Sequence, residues 1–442
     1  MNNSIILIVG LGKTGLSCLK FLSQSSAQIL INDSRKNPPG IDIVKKNYAD
    51  CALVLGQWDK NYFERADEIV LSPGVSLQEP LVKEAIESGK KVYGDIELFV
   101  NHVDKPIVAI TGSNGKSTVT TMVGKMAENA NLNVKVGGNI GVPALDLLGD
   151  EKTDLYVLEL SSFQLDTVLS LSADVAIVLN VSPDHMDRYS DMQHYTESKQ
   201  KIYQNARVKV VNKDEIRVGL MVKAEENQVR FGMSEPGDNE FGIRKITDKS
   251  YLAYGNENWL NISQLGVIGE HNIANSLAAL SIGQSLGFSK ESMLQTLKTF
   301  SGLAHRTEMI KYKNGIKWIN DSKATNVGAS VAAIKGLQQP IIWIAGGEAK
   351  EDDFSELVKV VKNKVKLALL MGKDAKLIAD SIQKEVPVMQ VSSLKKAVIE
   401  AKNNATKGDV VLLSPACASF DQFKNFEDRG CQFKLAVEQV AQ

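Results

Sequence analysis

The sequence predicts a three-domain α/β protein. A Rossmann-like N-terminal domain is followed by a central P-loop ATPase-type α/β domain with a small antiparallel sheet, and a Rossmann-like C-terminal domain closes the chain. Three observations carry this expectation. Short β-branched runs alternate with amphipathic stretches, the rhythm of βαβ units. That rhythm restarts twice, near Asp104 and near Gly302. The 442 residues, at roughly 150 per domain, suggest about three cores.

Composition narrows the class further. Hydrophobic residues make up 43% and charged residues 23%, which excludes a disordered or fibrous chain. Fifty-one Lys and Arg against 52 Asp and Glu leave a net charge of −1, and no long single-sign run occurs. No electrostatic footprint for nucleic acid or an anionic membrane results. The N-terminus enters SIILIVG without the basic residues of a signal peptide, and no apolar run approaches the roughly 20 residues that span a bilayer. A cytoplasmic protein without membrane insertion is expected. Cys18, Cys51, Cys417 and Cys431 are dispersed, form no CxxC or zinc spacing, and read as reduced core thiols, with Cys417 set apart by its loop.

In the first domain, residues 1–103, the strands read IILIVG, AQILIND, LVLG, EIVLSPG and KKVYGD, and SLQEPLVKEAIESG is amphipathic. The second domain, residues 104–302, restarts at Asp104, Lys105 and Pro106. There IVAI leads into TGSNGKST and a helix from Val119 to Asn129, followed by the strands LYVLEL and DVAIVLN. From about 207 to 268 short runs broken by PGDN and YGNEN predict the antiparallel addition. Asn272 to Leu286 reads as an amphipathic helix stopped by Gly287. The third domain, residues 303–442, has strands at IKWIND, PIIWIAGG, VKLALLMG and DVVLLSP.

Two glycine-rich turns carry the chemistry. In TGSNGKST, residues 111–118, the N–H groups around Gly112, Ser113, Asn114 and Gly115 can converge on phosphate oxygens in front of a helix N-terminus. Lys116 would neutralise β- and γ-oxygens and a hydroxyl of Ser117 or Thr118 would hold Mg²⁺, so ATP is the expected occupant. Only Ser113 and Asn114 separate the two glycines, fewer than in the generic loop. Glu159 ends LYVLEL and His185 follows DVAIVLN. Taken singly, the first reads as a solvated strand-end carboxylate and the second as a packed or capping histidine. On strands of one parallel sheet both face the crevice of the phosphate loop, which makes them metal or phosphate neighbours. The other turn, GLGKTG at 10–15, fits G-x-G-x-x-G, and Asp33 lies 18 residues beyond Gly15. Alone it is a dinucleotide fingerprint. The physics asks only for a diphosphate on a tight turn, so a UDP-linked substrate serves equally, with Arg35 beside Ser34 at the nucleoside end.

Together the motifs resemble the Mur ligase family over essentially the whole chain. The resemblance is carried by GLGKTG, DSRKNPPG at 33–40, LSPGV at 71–75, TGSNGKST, GGNIG at 137–141, LELSSFQL at 158–165 and SPDHMDRY at 182–189. It continues through GEHNIANSLAA at 269–279, HRTE at 305–308, NDSKATN at 320–326 and LLSPACASFDQFKNFEDRG at 412–430. The shortened phosphate loop is the form this family uses. The resemblance implies a monomeric ligase that adds D-glutamate to UDP-N-acetylmuramoyl-L-alanine with ATP, in peptidoglycan precursor synthesis. It implies an N-terminal domain holding the UDP-sugar, a central ATPase and a C-terminal domain that brings in the amino acid. The alanyl carboxylate attacks the γ-phosphoryl group, and the amine of D-glutamate displaces phosphate from the resulting acyl phosphate through a tetrahedral intermediate. Anion attacking anion needs cations and oriented amides.

By carry-over, Ser117 and Glu159 hold one Mg²⁺ and His185 a second, which Lys199 orients as a carbamate. Without the resemblance Lys199 reads as an exposed helical lysine. Lys116 and Lys323 steady phosphate, Asn272 and Asn275 lie near ATP, and Arg306 and Asp321 complete the nucleotide site. Lys13, Thr14, Ser34 and Arg35 meet uracil, Ser72, Gly74 and Asn139 the diphosphate and sugar, and Ser161 and Gln164 the muramoyl-alanyl arm. D-Glutamate falls to Lys350, Thr325, Ser419 and Phe426, a cation and hydroxyls suiting a dicarboxylate. Phe426 reads equally well as core packing. A sister ligase adding another amino acid, or a folate polyglutamylating enzyme, would share the central loop, but NDSKATN and SPACASFDQF favour D-glutamate. An NAD-dependent oxidoreductase fits the first glycine turn alone. An intact set of Lys116, Glu159 and His185 disfavours a catalytically dead binding protein.

Overall fold

The computed structural model describes residues 4–349 and 353–440, and among these the chain builds three sheets in succession. The first holds β1 (Ile5–Val9), β2 (Gln28–Asp33), β3 (Ala52–Leu55), β4 (Glu68–Leu71) and β5 (Lys91–Tyr93), all parallel, in the order β3-β2-β1-β4-β5. Strands leave β1 in opposite directions, so a crevice opens at its carboxyl end. IILIV, and ILI within QILIND, read as unbroken apolar runs because both faces of the sheet are covered.

The second sheet holds β6 (Ile107–Thr111), β7 (Val134–Gly138), β8 (Leu155–Glu159), β9 (Val175–Val178), β10 (Val208–Asn212), β11 (Gln228–Phe231), β12 (Glu240–Ile246), β13 (Lys249–Tyr254) and β14 (Glu257–Asn261). Its order is β14-β13-β12-β11-β10-β9-β6-β8-β7. β6 lies between β8 and β9, so Glu159, the phosphate loop and Asn180 emerge side by side. The antiparallel addition expected over 207–268 is present as β12–β14, but it continues the central sheet. β10 and β11 pair in parallel and carry the sheet out to it. Val210 and Val211 point to opposite faces and are both buried, the mark of an interior strand. The helix expected from Val119 begins at Lys116, and the one expected from Asn272 spans Glu270–Ser285.

The third sheet holds β15 (Glu308–Lys313), β16 (Ile316–Asn320), β17 (Ile341–Gly346), β18 (Val365–Met371), β19 (Val388–Gln390) and β20 (Val410–Leu413), in the order β15-β16-β20-β17-β18-β19. Its strands are parallel except for the β15–β16 hairpin.

The first two lobes share one apolar cluster that runs from Ile8 and Leu19 through Phe99 to Tyr156 and Leu165. The rings of Phe99 and Tyr156 meet edge to face at 5.1 Å. Glu97 accepts from the Leu169 and Ser170 amides at 2.7 and 2.9 Å and from the Ser170 hydroxyl at 2.7 Å. The third lobe buries clusters of its own on either face of its sheet. The chain enters it through His305 and Thr307, whose φ angles of 63° and 46° are left-handed.

Candidate active site

The phosphate loop is held by hydrogen bonds from the segment that follows β9. Asn180, just past β9, accepts from the Asn114 amide at 2.8 Å and donates to the Asn114 carbonyl at 3.0 Å, while the Ser182 amide donates to Ser113 Oγ at 3.0 Å. Gly115 has φ +85°, and a Cβ there would stand 2.5 Å from Asn275 Oδ1. Only glycine lets the loop pass so close to the helix Glu270–Ser285. Behind the loop the helix Lys116–Asn129 presents its first N–H groups, a ready anion site. Lys116 Nζ reaches back across the mouth to the carbonyls of Gly112 and Ser113, at 2.7 and 3.0 Å.

Ser117 Oγ donates to Glu159 Oε2 at 2.6 Å, and Asn139 Nδ2 donates to Glu159 Oε1 at 2.7 Å. A hydroxyl and a carboxylate are hard oxygen donors, and Mg²⁺ characteristically takes one or two protein oxygens and completes its shell with phosphates and water, so this pair fits that ion. Arg306, from the third lobe, donates through Nη2 to the same Ser117 Oγ at 2.6 Å. His185 takes the left-handed φ of 58°, lies 3.7 Å from Asp184 through Nε2, and packs edge-on to Phe163 with ring centroids 4.8 Å apart.

Lys199 is 1% exposed, and its Nζ donates to the Gly112 carbonyl at 3.1 Å beneath the Tyr195 ring. Burial, reinforced by the charge of Lys116, holds its ammonium well below the ordinary lysine range. The exposed lysine that the helical pattern alone predicts is not what forms. The helix Met192–Gln200 turns Lys199 inward, beneath the phosphate loop.

A cavity of about 390 Å³ lies beside the loop, between the helix Glu270–Ser285 and the third lobe. Thr118, Asn272, Asn275, Arg306, Asp321 and Lys323 all line it. Asn275 donates to Asn272 Oδ1 at 3.3 Å. Burial raises Asp321 to about 7, against the Ser414 hydroxyl and the Thr307 amide that donate to it at 2.8 and 3.0 Å. Burial, then the neighbouring Arg306, lower Lys323 to about 8. His271, on the same wall and absent from the sequence reading, is lowered by burial to about 4 and meets Thr307 Oγ1 at 3.2 Å.

A second cavity, of about 680 Å³, opens at the carboxyl end of β1, lined by Lys13, Thr14, Ser34, Arg35, Ser72 and Gly74 of the first lobe. Asn139 and Gln164 close it from the central lobe. A Cβ at Gly15 would meet the Gly10 carbonyl oxygen at 2.0 Å, so the turn tolerates nothing larger than glycine. Ser72 Oγ donates to that same carbonyl at 2.8 Å, and Lys13 Nζ donates to Gly141 of the central lobe. Arg35 is paired with Asp33 through bonds of 2.9 and 2.6 Å. Ser161 forms a capping box with Gln164, whose Nε2 donates to Asp95 at 3.0 Å. Burial raises Asp95 to about 6.

Three of the four residues expected to meet D-glutamate are described, and Lys350 lies outside the described residues. Thr325 follows β16, Ser419 is buried in the loop after β20, and Phe426 opens the helix Phe426–Val440 with Lys323 Nζ 3.8 Å above its ring. The fully buried Arg429 joins these segments. It donates through Nε to Ser322 Oγ at 3.0 Å, through Nη2 to the Ser322 carbonyl at 2.8 Å and through Nη1 to the Cys417 carbonyl at 3.2 Å. Arg429, Asn180, Asp95 and Trp58, which lines the first-lobe cavity, escaped sequence reasoning. Only Asn180, a polar residue closing an apolar strand, left a local signal.

Comparisons with known proteins show the chain's family. The model of the Mur ligase MurD-like N-terminal domain matches residues 4–94, that of the Mur ligase middle domain residues 110–283, and that of the Mur ligase glutamate ligase domain residues 305–417. UDP-N-acetylmuramoylalanine--D-glutamate ligase of Nitrosococcus oceani is 45% identical over 98% of this chain and 96% of its own length. The enzyme of that name from Marinobacter nauticus is 47% identical over 98% and 97%. Among solved structures, UDP-N-acetylmuramate-alanine ligase MurC of Thermotoga maritima shares the fold with a TM-score of 0.62 at 17% identity, over 99% of both chains. A pseudomurein peptide ligase type C from Methanothermus fervidus has the same TM-score at 19% identity, over 99% of this chain and 100% of its own. With three consecutive family models matched and whole-length relatives near half identity, the chain belongs to the Mur ligase family.

Proposed function

We propose that this chain joins D-glutamate to UDP-N-acetylmuramoyl-L-alanine at the expense of ATP, as a cytoplasmic, monomeric enzyme of peptidoglycan precursor synthesis. The observation that carries the reading is the meeting at Ser117 and Glu159. Asn139 reaches Glu159 from the wall of one cavity and Arg306 reaches Ser117 from the wall of the other, so a carboxylate at the end of a UDP-sugar and a γ-phosphoryl group can meet between them. In this reading the domains are 1–103 for the UDP-sugar, 104–302 for ATP and 303–442 for the amino acid.

The loop amides and Lys116 orient the triphosphate, and Lys116 and Lys323 spread the charge of the transferring group, most of what phosphoryl transfer asks of a protein. Two Mg²⁺ ions, when bound, neutralise the phosphates. Ser117 and Glu159 hold one of them, and His185 with Lys199 as a carbamate the other. A carbamate forms only from a neutral amine and carbon dioxide, and the burial of Lys199 favours that amine. Asn272, Asn275 and Asp321 hold the nucleoside, Arg306 the phosphates. Lys13, Thr14, Ser34 and Arg35 take the uracil end, Ser72, Gly74 and Asn139 the diphosphate and sugar, and Ser161 and Gln164 the muramoyl-alanyl arm. Lys350, Thr325, Ser419 and Phe426 bring the D-glutamate amine to the activated carbonyl.

Phosphate release from ATP, measured across combinations of UDP-sugar and amino acid, tests the reading. Release is expected only with both UDP-N-acetylmuramoyl-L-alanine and D-glutamate present, with L-glutamate inactive. Release driven equally by another amino acid would overturn the assignment.

A further inference from the structure

Resting on the reading that the first-lobe cavity takes a UDP-linked sugar, we propose that Trp58 is the stacking wall for the pyrimidine base and thereby selects the nucleoside end of the substrate. The cavity has two distinguishable ends. At one, Gly138, Asn139 and Gln164 belong to the central lobe, and Asn139 bonds Glu159 beside the phosphate loop, so the reacting carboxylate lies there. In the middle, the turn Gly10–Gly15 and the start of the helix Lys13–Leu22 suit a diphosphate. Away from the central lobe, past the carboxyl ends of β2 and β3, the described lining comes from the first lobe, with Asp33, Arg35 and Trp58 among its residues.

The backbone under Trp58 is tied down on both sides by one buried amide. Asn32, 0% exposed at the end of β2, donates through Nδ2 to the carbonyls of Gln57 at 2.8 Å and Val54 at 3.1 Å, and accepts through Oδ1 from the Asp59 amide at 2.9 Å. Asp59 in turn caps the helix Lys60–Arg65, accepting from the Asn61 and Tyr62 amides at 2.9 and 3.3 Å. Trp58 itself is half-buried, packed against the apolar cluster of Phe63, Leu71 and Val82, and still lines the cavity. A half-open indole on a fixed loop loses little freedom on binding, and a flat base offers it a matching face. Arg35 is already engaged by Asp33, which leaves the indole as the broad apolar surface at that end.

Titrating the full chain with UDP, by tryptophan emission and by calorimetry, tests the assignment. Trp318 and Trp343 are buried in the third lobe and Trp259 sits in β14, so a change on UDP binding reports Trp58. We expect saturable quenching in the unaltered chain that is lost in Trp58→Phe. UDP affinity should fall about tenfold in Trp58→Ala and stay within about threefold in Trp58→Phe, which keeps a stacking face. Inorganic pyrophosphate, which has no base, should bind all three alike. Unchanged UDP affinity in Trp58→Ala, or an equal loss for pyrophosphate, would overturn the stacking role and leave the UDP-sugar reading intact. No calorimetric UDP binding by the unaltered chain would overturn both.

Discussion

Lys116 and Lys199 donate to a single carbonyl oxygen, that of Gly112, at 2.7 and 3.1 Å. Two ammonium groups converging there repel, and the one cut off from water gives up its proton first. Lys199 is that one, and its lowered pKa favours the neutral amine that the proposed carbamate needs. Lys199→Ala should lower turnover about 100-fold, and short carboxylic acids should restore part of it by supplying the lost anion. Full activity without rescue would refute the role. Lys323 behaves differently. Burial and Arg306 bring it to about 8, so it is cationic below that pH and loses its charge above it. The catalytic efficiency kcat/KM should therefore decline as pH rises through about 8, and Lys323→Arg should carry that limb upward, because a guanidinium stays charged. A limb that does not move in the variant belongs to another group.

At the scale of elements, the turns and caps between strands and helices set the active geometry. Gly115→Ala forces a side chain onto a left-handed residue and drives its Cβ against Asn275. The strain should cost about 1–2 kcal/mol and displace the loop amides. ATP affinity, measured by calorimetry, is expected to drop at least about tenfold, corresponding to 1.4 kcal/mol or more. The helix Asp95–Val100 is the seam between the first two lobes. Glu97→Ala would remove the acceptor of the Leu169 and Ser170 amides, which belong to exposed residues, at about 0.5–1.5 kcal/mol for each hydrogen bond lost. The thermal transition of the variant should come earlier; an unchanged one would mean that water satisfies those amides.

In the whole molecule the first and central lobes share a continuous apolar cluster, and polar contacts link the central lobe to the third. Arg306 reaches Ser117, Asn326 donates to Asp184 at 3.3 Å, and Thr307 meets His271. Polar contacts of this kind exchange readily for ligand contacts. Small-angle scattering should report a change in dimensions when ATP and UDP-sugar bind together, and identical curves with and without ligands would argue against closure. Arg306→Ala should weaken ATP at least about tenfold and leave UDP binding within about twofold, because the described residues that line the first-lobe cavity all belong to the first and central lobes. Parallel loss of both ligands would instead indicate a global effect on folding.

The sequence by itself determined the βαβ architecture, both glycine turns and the residues Lys116, Ser117 and Glu159. These are local facts: a strand, a tight turn and a helix start are written in consecutive residues whose conformational needs only glycine and small polar side chains meet. The G-x-G-x-x-G turn shows the limit of that legibility, since it specifies a diphosphate and leaves open what the diphosphate is attached to. The tertiary structure decided the rest. Lys199 became a buried amine with its pKa held well below the ordinary lysine range because the helix Met192–Gln200 packs beneath a loop 87 residues earlier in the chain. Arg306 entered the phosphate site from another lobe, Asn32 fixed the loop of Trp58 from a neighbouring strand, and β10 and β11 joined the meander to the central sheet. Charge state, burial and partnership depend on distance in space, and pairs more than a hundred residues apart, such as Ser117 and Arg306, leave no trace in local periodicity.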